Sequence, residues 1–373
     1  MDSSPILLVG PGLVGGGAEG QFALMARRFF DGRLPVALLN GKREDRVGDG
    51  TGRFHFLVWR SRWSYFRIVP RFWWLVWRGG YRVILAFGLF PCLLAACATL
   101  ARRSKPLLIV SEITRPERED NQSAWWRRLL YRNLHRWAYR RASLLTANSI
   151  DGVREMCAIT GVDESQGRRV HNLVDSGALV AEAGKKVENP LQGRRYFVCN
   201  GRLDPMKRVD TALKAFFLLA KNEDIHLLIV GDGPARNELN DLAARLGLLA
   251  RVHFTGWLEN AFPLVKNATA LLLTSEYEGF SNSVLEAMFL DTPVITSLCS
   301  ADAREMCEQE AALGFAVGDE RALAACMQRL LTEPETAARL IANARRHRQP
   351  HAIENSLPDY EKIILAVYER ARI

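Results

Sequence analysis

Short, mainly apolar runs recur along the chain, and most are followed by a stretch with apolar residues at three- and four-residue spacing. Residues 5–10 (PILLVG), 34–40 (LPVALLN) and 105–112 (KPLLIVSE) are such runs in the first half. Residues 194–200, 225–230, 268–275 (ATALLLTS) and 292–297 (TPVITS) are their counterparts in the second. A run that is apolar throughout, rather than on alternate residues, predicts a strand covered on both faces, as parallel sheets are. Between the runs lie helical patterns. Residues 20–30 form one, and Val209, Ala212, Leu213, Phe216 and Ala220 give the helix after residue 208 its buried face. Strand and helix alternating in both halves predict two parallel, doubly wound sheets.

Three segments strain this pattern. Residues 83–101 carry no charge and match the length of a membrane span. Pro91 divides them into a strand (VILAFG) and an Ala/Cys-rich helix, so they are read as core. Residues 59–82 hold five tryptophans and six arginines. At helical spacing Arg60, Arg67, Arg71, Arg78 and Arg82 share a face, most aromatics lie on the opposite arc, and Pro70 is expected to split the segment into two helices. Residues 125–141 place Trp126, Leu129, Leu130, Leu134 and Trp137 on one stripe, with Arg128, Arg132 and Arg136 away from it. The chain closes on a helix at 357–373.

Composition narrows the class. The 373 residues, 48% hydrophobic, suffice for two domains with a core each. Seven scattered cysteines, without a C-x-x-C pair, argue for a reducing compartment and against a disulfide frame or zinc site. His226 and His253 open strand-like runs, where a structural role is expected. Residues 6–10 are too short for a secretory h-region. Charge divides the chain unequally: 27 Lys/Arg against 15 Asp/Glu up to residue 175, and 23 against 26 after it. Residues 50–111 hold ten basic residues and no acid. Arginine with tryptophan on amphipathic helices suggests an anionic membrane surface, through 59–82 and 125–141. No motif for nucleic acid accompanies the charge.

The candidate chemistry lies in two glycine- and acid-bearing loops. Residues 10–15 fit G-x-G-x-x-G, the dinucleotide fingerprint, but the second strand ends in Asn40 where an acidic ribose ligand is needed. Residues 275–288 read SEYEGFSNSVLEAM. Glu278 falls on a strand-to-helix loop and Glu286 in the first turn of the next helix, flanking an amino terminus suited to a phosphate. Ser283 and Glu286 also fit a capping box, which would make Glu286 a helix cap only.

Glu278 and Glu286, with seven residues between them, resemble the E-x7-E motif of the retaining, nucleotide-sugar-dependent glycosyltransferases of family 4. Gly15-Gly16-Gly17-Ala18-Glu19 resembles that family's G-G-A-E loop, and Arg202 and Lys207 match its donor-binding cations. The resemblance implies the GT-B fold, two Rossmann-like domains facing a cleft: 1–180 for the acceptor, 181–350 for the nucleotide sugar, and a helix at 351–373 returning to the first. It implies that Glu278, Arg202 and Lys207 are catalytic. Gly16, Gly17, Gly279, Phe280, Ser281, Asn282, Ser283 and Glu286 would join Arg202 and Lys207 in binding the donor. Glu19, Glu112, Thr114 and Arg115 are the acceptor-side candidates, with Glu112, Thr114 or Arg115 standing in for a histidine usual in the family. Where the family carries glycines, this chain has Asp291-Thr292 and Asp302. The expected activity is transfer of a sugar, from a UDP-sugar donor, to a membrane-associated glycan or lipid-linked acceptor in bacterial surface polysaccharide or glycolipid synthesis. It would need no metal or other cofactor and no nucleic acid, in the cytoplasm at the inner face of the membrane. A GT-B nucleotide-sugar epimerase and an NAD(P)-dependent Rossmann enzyme are the alternatives.

Overall fold

The computed structural model describes residues 6–10, 17–30, 36–39, 54–57, 65–101, 106–112, 125–220 and 224–370. They fall in two compact units, 1–173 with 354–373, and 174–353.

In the first unit the apolar runs form strands with helices between them. The order begins β1 (Ile6–Gly10), α1 (Gly17–Phe30), β2 (Val36–Leu39), β3 (Phe54–Leu57), α2 (Tyr65–Gly79), β4 (Val83–Phe87) and α3 (Leu89–Ala98). It continues with β5 (Leu107–Glu112), α4 (Trp125–Tyr139), β6 (Leu144–Ala147), α5 (Ile150–Thr160) and β7 (Gly167–Arg169). All seven strands are parallel, in the order β3-β2-β1-β4-β5-β6-β7. Leu8 lies opposite Val36 on one side and Leu85 on the other, so β1 is central. Gly10 closes β1 where a Cβ would stand 2.3 Å from the Phe22 ring, so only glycine lets α1 pack this close.

The second unit repeats the plan. Its elements begin α6 (Ser176–Ala183), β8 (Tyr196–Asn200), α7 (Val209–Leu219), β9 (His226–Val230), α8 (Arg236–Arg245), β10 (Val252–Gly256) and α9 (Phe262–Lys266). After them come β11 (Ala270–Leu273), α10 (Asn282–Phe289), β12 (Val294–Ser297), α11 (Ala301–Glu308), β13 (Leu313–Phe315), α12 (Glu320–Thr332) and α13 (Pro334–His347). The sheet runs β10-β9-β8-β11-β12-β13, again parallel. Val209, Ala212, Leu213, Phe216 and Ala220 are all buried, as their spacing predicts. His226 Nδ1 and His253 Nε2 meet at 3.1 Å at the amino end of the sheet, away from the loops that follow the strands. The last helix, α14 (Ile353–Arg370), falls almost wholly in the first unit.

The units divide at 173/174 rather than 180/181, because Leu179 and Ala183 of α6 pack into the core that holds Val284 and Leu285. The chain enters and leaves the second unit at paired points: Val174 N donates to His351 O at 2.9 Å and Ile353 N to Val174 O at 3.0 Å.

Several expectations need correction. Pro70 does not split its segment; α2 runs through it, and Pro70 sits exposed in the second turn, where the hydrogen bond it removes is an early one. The tryptophans of α2 are not its buried arc. Ile68, Phe72, Leu75 and Val76 fill the core stripe, while Trp73, Trp74 and Trp77 are exposed beside Arg71 and Arg78. One helix buries a stripe only about 100° wide, and these four residues already occupy it. On α4 the buried positions are His135, Ala138 and Tyr139, with Leu134 and Trp137 at the margin, so the stripe lies one residue along from the expected one. The side chains of 125–131, with Trp126, Arg128, Leu129 and Leu130, lie outside the described residues, as do Arg60 and the side chain of Arg67. The break in 83–101 falls at Gly88, whose φ of 79° turns the chain, and Pro91 sits in the first turn of α3. Among the described residues no helix is long and apolar enough to cross a membrane.

Candidate active site

In a doubly wound sheet the strand order reverses at one point, and the loops there part to leave a crevice beyond the strands' carboxyl ends. In the second sheet that point lies between β8 and β11. The loop after β8 carries Arg202 and Lys207, and the loop after β11 carries Ser275 to Ser281. Both cations line one depression of about 320 Å³ with Gly201, Thr274 and Ser275.

The two loops are tied to each other. Thr274 Oγ1 donates to Lys207 O at 2.7 Å, and Glu276 N to Met206 O at 2.8 Å. Lys207 Nζ then meets Glu278 Oε1 at 2.6 Å, and Ser275 Oγ donates to the same oxygen at 2.6 Å. The end of β12 joins them through Ser297 Oγ, which donates to Ser275 O at 2.6 Å. The ammonium and carboxylate are each partly covered, at 28% and 14% exposure, so solvent screens this pair less than an open surface pair. Arg202 is exposed and its Nε lies 3.2 Å from Asp204.

Helix α10 begins at Asn282, with Ser281 as N-cap. The Ser281 side chain makes no capping bond; its Oγ sits 3.0 Å from Ser283 Oγ. The helix thus presents its positive end to the crevice without a side-chain cap. Glu286 is the fifth helical residue, one beyond the first turn, so the capping box does not form. Burial alone pushes its carboxyl up to about 7. On the other side of the loop Glu278, Gly279, Phe280 and Ser281 line a depression of about 230 Å³ with Cys299, Ser300 and Asp302. Burial pushes the Cys299 thiol up, and Asp302 is 1% exposed.

The tertiary structure therefore gathers Arg202, Lys207, Glu278, Gly279, Phe280, Ser281, Asn282, Ser283 and Glu286 within the second unit. The first-unit candidates stand differently. Gly17 opens α1 and is exposed, with Glu19 half-buried in the same turn. Glu112 ends β5 buried, its Oε1 accepting from Tyr139 Oη at 2.5 Å. Gly16, Thr114 and Arg115 lie outside the described residues. Asp291 adopts φ 57°, the left-handed region open to glycine. Hydrogen bonds from Arg345 and the charge of Arg348 hold its carboxyl below the usual carboxylate range.

Thr274, Ser275 and Ser297 escape sequence reasoning, since lone hydroxyls beside strands carry no spacing signal. So do Gly231 and Gly233, where a Cβ would stand 2.0 Å from Gly201 O and 2.6 Å from Leu203 O. The G-D-G triplet straight after β9 is the signal that could have found them.

Comparison with known proteins bears on the family and the fold. The model for glycosyl transferases group 1 matches residues 181–347, and that for glycosyltransferase family 4 matches 16–177. The lipopolysaccharide core biosynthesis glycosyltransferase LpsD of Rhizobium meliloti is 33% identical over 37% of this chain and 40% of its own. The 2-deoxystreptamine glucosyltransferase of Streptomyces kanamyceticus is 30% identical over 64% of this chain and 63% of its own. The chain thus spans less than two thirds of the length of either relative. Anabaena HepE, solved with UDP, superposes with a TM-score of 0.82 at 18% identity, covering 97% of this chain and 100% of the other.

Proposed function

The chain belongs to the family 4 glycosyltransferases and has the GT-B fold, and from that premise we propose that it moves a sugar from a nucleoside-diphosphate sugar to an acceptor hydroxyl, with retention. The observation that carries this is the Lys207–Glu278 pair, 2.6 Å apart at the switch point of the second sheet, beside the uncapped end of α10. A diphosphate lying there meets Lys207, Arg202 and the first amides of α10, which stabilise the charge that builds on it as the sugar leaves. Glu278 faces the anomeric carbon, where positive charge develops. Glu286 accepts from the ribose hydroxyls. Lys207, Arg202 and the α10 amides supply the positive charge that faces the leaving diphosphate, the role a metal would otherwise take. UDP is the nucleotide of choice, as HepE was solved with it.

The acceptor is membrane-associated in this proposal. Its support is the exposed Trp/Arg face of α2 and the likeness to LpsD. The enzyme works from the cytoplasmic side, held peripherally. The test incubates the full chain with a panel of nucleotide sugars, once with lipid-linked and lipopolysaccharide-core acceptors and once with 2-deoxystreptamine. Nucleoside diphosphate released only with an acceptor establishes transfer. Release with the soluble aminocyclitol alone overturns the membrane acceptor, and a sugar converted with no acceptor present points to an epimerase.

A further inference from the structure

We infer that Asp291 and His351 are positioning residues for α10: they fix the two ends of the helix whose amino terminus receives the diphosphate. The assignment rests on the nucleoside-diphosphate-sugar reading of this site. Helix α10 has eight residues and is about 12 Å long. A rod of two turns has little give, so what holds one end sets the direction of the other.

The carboxyl end stops in a Schellman turn. Asp291 N donates to Met288 O at 3.2 Å and Thr292 N to Ala287 O at 2.9 Å, with Asp291 at φ 57° in the left-handed region. Glycine is the usual residue at such a position, because a Cβ is strained there. The turn alone gives no reason for aspartate; its carboxylate does. Arg345 donates to both carboxylate oxygens, at 3.0 and 2.7 Å, and Arg348 Nη1 donates to Oδ1 at 3.0 Å. The same Arg348 nitrogen reaches Met288 O, one of the last carbonyls of α10, and its guanidinium lies 4.9 Å from the Phe289 ring. Arg345 is mostly exposed and Arg348 mostly covered, so the Arg348 bond is the less screened of the two.

Three residues on, the chain reaches the other end of the helix. His351 N donates to Arg348 O at 2.9 Å, within the short turn Gln349–His351. The buried His351 ring then meets buried Phe280, with centroids 4.5 Å apart. Phe280 lies two residues after Glu278 and directly before Ser281, the N-cap of α10. His351 O accepts from Val174 N, and Val174, Ala352, Phe280 and Val284 share one core. A single stretch, 345–351, thus grips α10 at its carboxyl end through Arg345 and Arg348 and at its amino end through His351. The amides that face the leaving diphosphate take their placement from it.

The test measures binding of UDP, ADP and GDP to the full chain by calorimetry, beside a melting curve for each variant. Asp291→Gly removes the carboxylate and leaves a residue at ease at positive φ. Its melting temperature should hold, while affinity for whichever nucleoside diphosphate binds falls about tenfold. His351→Ala should weaken the same nucleotide comparably, and His351→Phe, which keeps a ring against Phe280, should restore it. Wild-type affinity in Asp291→Gly or in His351→Ala overturns the assignment. So does a loss in Asp291→Gly that comes with a lowered melting temperature, or a His351→Phe that binds no better than His351→Ala. A wild-type chain that binds no nucleoside diphosphate overturns the nucleotide-sugar reading itself, and the assignment with it.

Discussion

Glu286 is a carboxyl that burial holds near neutrality where a ribose would lie. Its folded pKa stands above the unfolded one, near 4.3. The folded chain therefore binds the extra proton between those values, and this group's contribution to stability declines as pH rises from about 4.5 to 7. The ionised form accepts two hydroxyl hydrogen bonds, so nucleotide affinity should tighten as pH rises through 7. Calorimetric titrations at pH 6 and 8 check this: wild type should bind more tightly at pH 8, and Glu286→Gln should show a flat profile. Glu286→Ala should bind nucleotide more weakly without the melting-temperature loss expected of a removed cap, because the residue caps nothing here. Glu278 differs, being bonded to Lys207 and Ser275. Glu278→Gln keeps the shape and removes the charge, so kcat is expected to fall about 10²- to 10³-fold with nucleotide affinity nearly kept. A fall in affinity with kcat intact would assign Glu278 to binding instead.

At the scale of the element, α2 shows how one helix serves two surfaces. Its aliphatic stripe closes the core of the first unit, and its outer face carries Trp74 at 49% exposure and Trp77 at 56%. Trp73 and Trp77 stack at 6.4 Å, and the Arg78 guanidinium lies 5.2 Å from the Trp74 ring. Aromatic and cationic groups thus share one face, the arrangement that inserts rings among lipid headgroups while arginine meets their charge. Each arginine near an anionic surface contributes about 1 kcal/mol. Changing Arg71, Arg78 and Arg82 to glutamate should abolish sedimentation with anionic vesicles, and 1 M salt should weaken the wild type, since screening then acts within about 3 Å. Equal binding to neutral and anionic vesicles, or none to either, would remove this support for a membrane acceptor. Helical structure in this segment was legible from its spacing, but its continuity through Pro70 was not; nor was it legible which residues faced outward, because periodicity fixes phase but not which arc meets a neighbour.

For the whole molecule, the expected metal independence rests on Lys207, Arg202 and the α10 amides acting together on the leaving diphosphate. Activity should survive EDTA, and loss on chelation with recovery on adding Mg²⁺ or Mn²⁺ would refute it. Much of this architecture was readable from the chain. Continuous apolar runs between helical patterns, twice over, already imply two parallel doubly wound sheets, since such strands need helices on both faces. Strands as short as β3 and β13 were missed, because a three- or four-residue run carries too little pattern. The Glu278–Glu286 spacing was visible because both lie on one loop and helix, close in sequence. The Lys207–Glu278 contact, between residues 71 apart, exists only because the sheet order sets β8 beside β11. Local sequence determined where the chain runs straight or coils and which residue types stand at each loop. Tertiary structure alone decided which loops meet, which tryptophans stay outside and which carboxyl is buried, because each depends on neighbours brought from far along the chain.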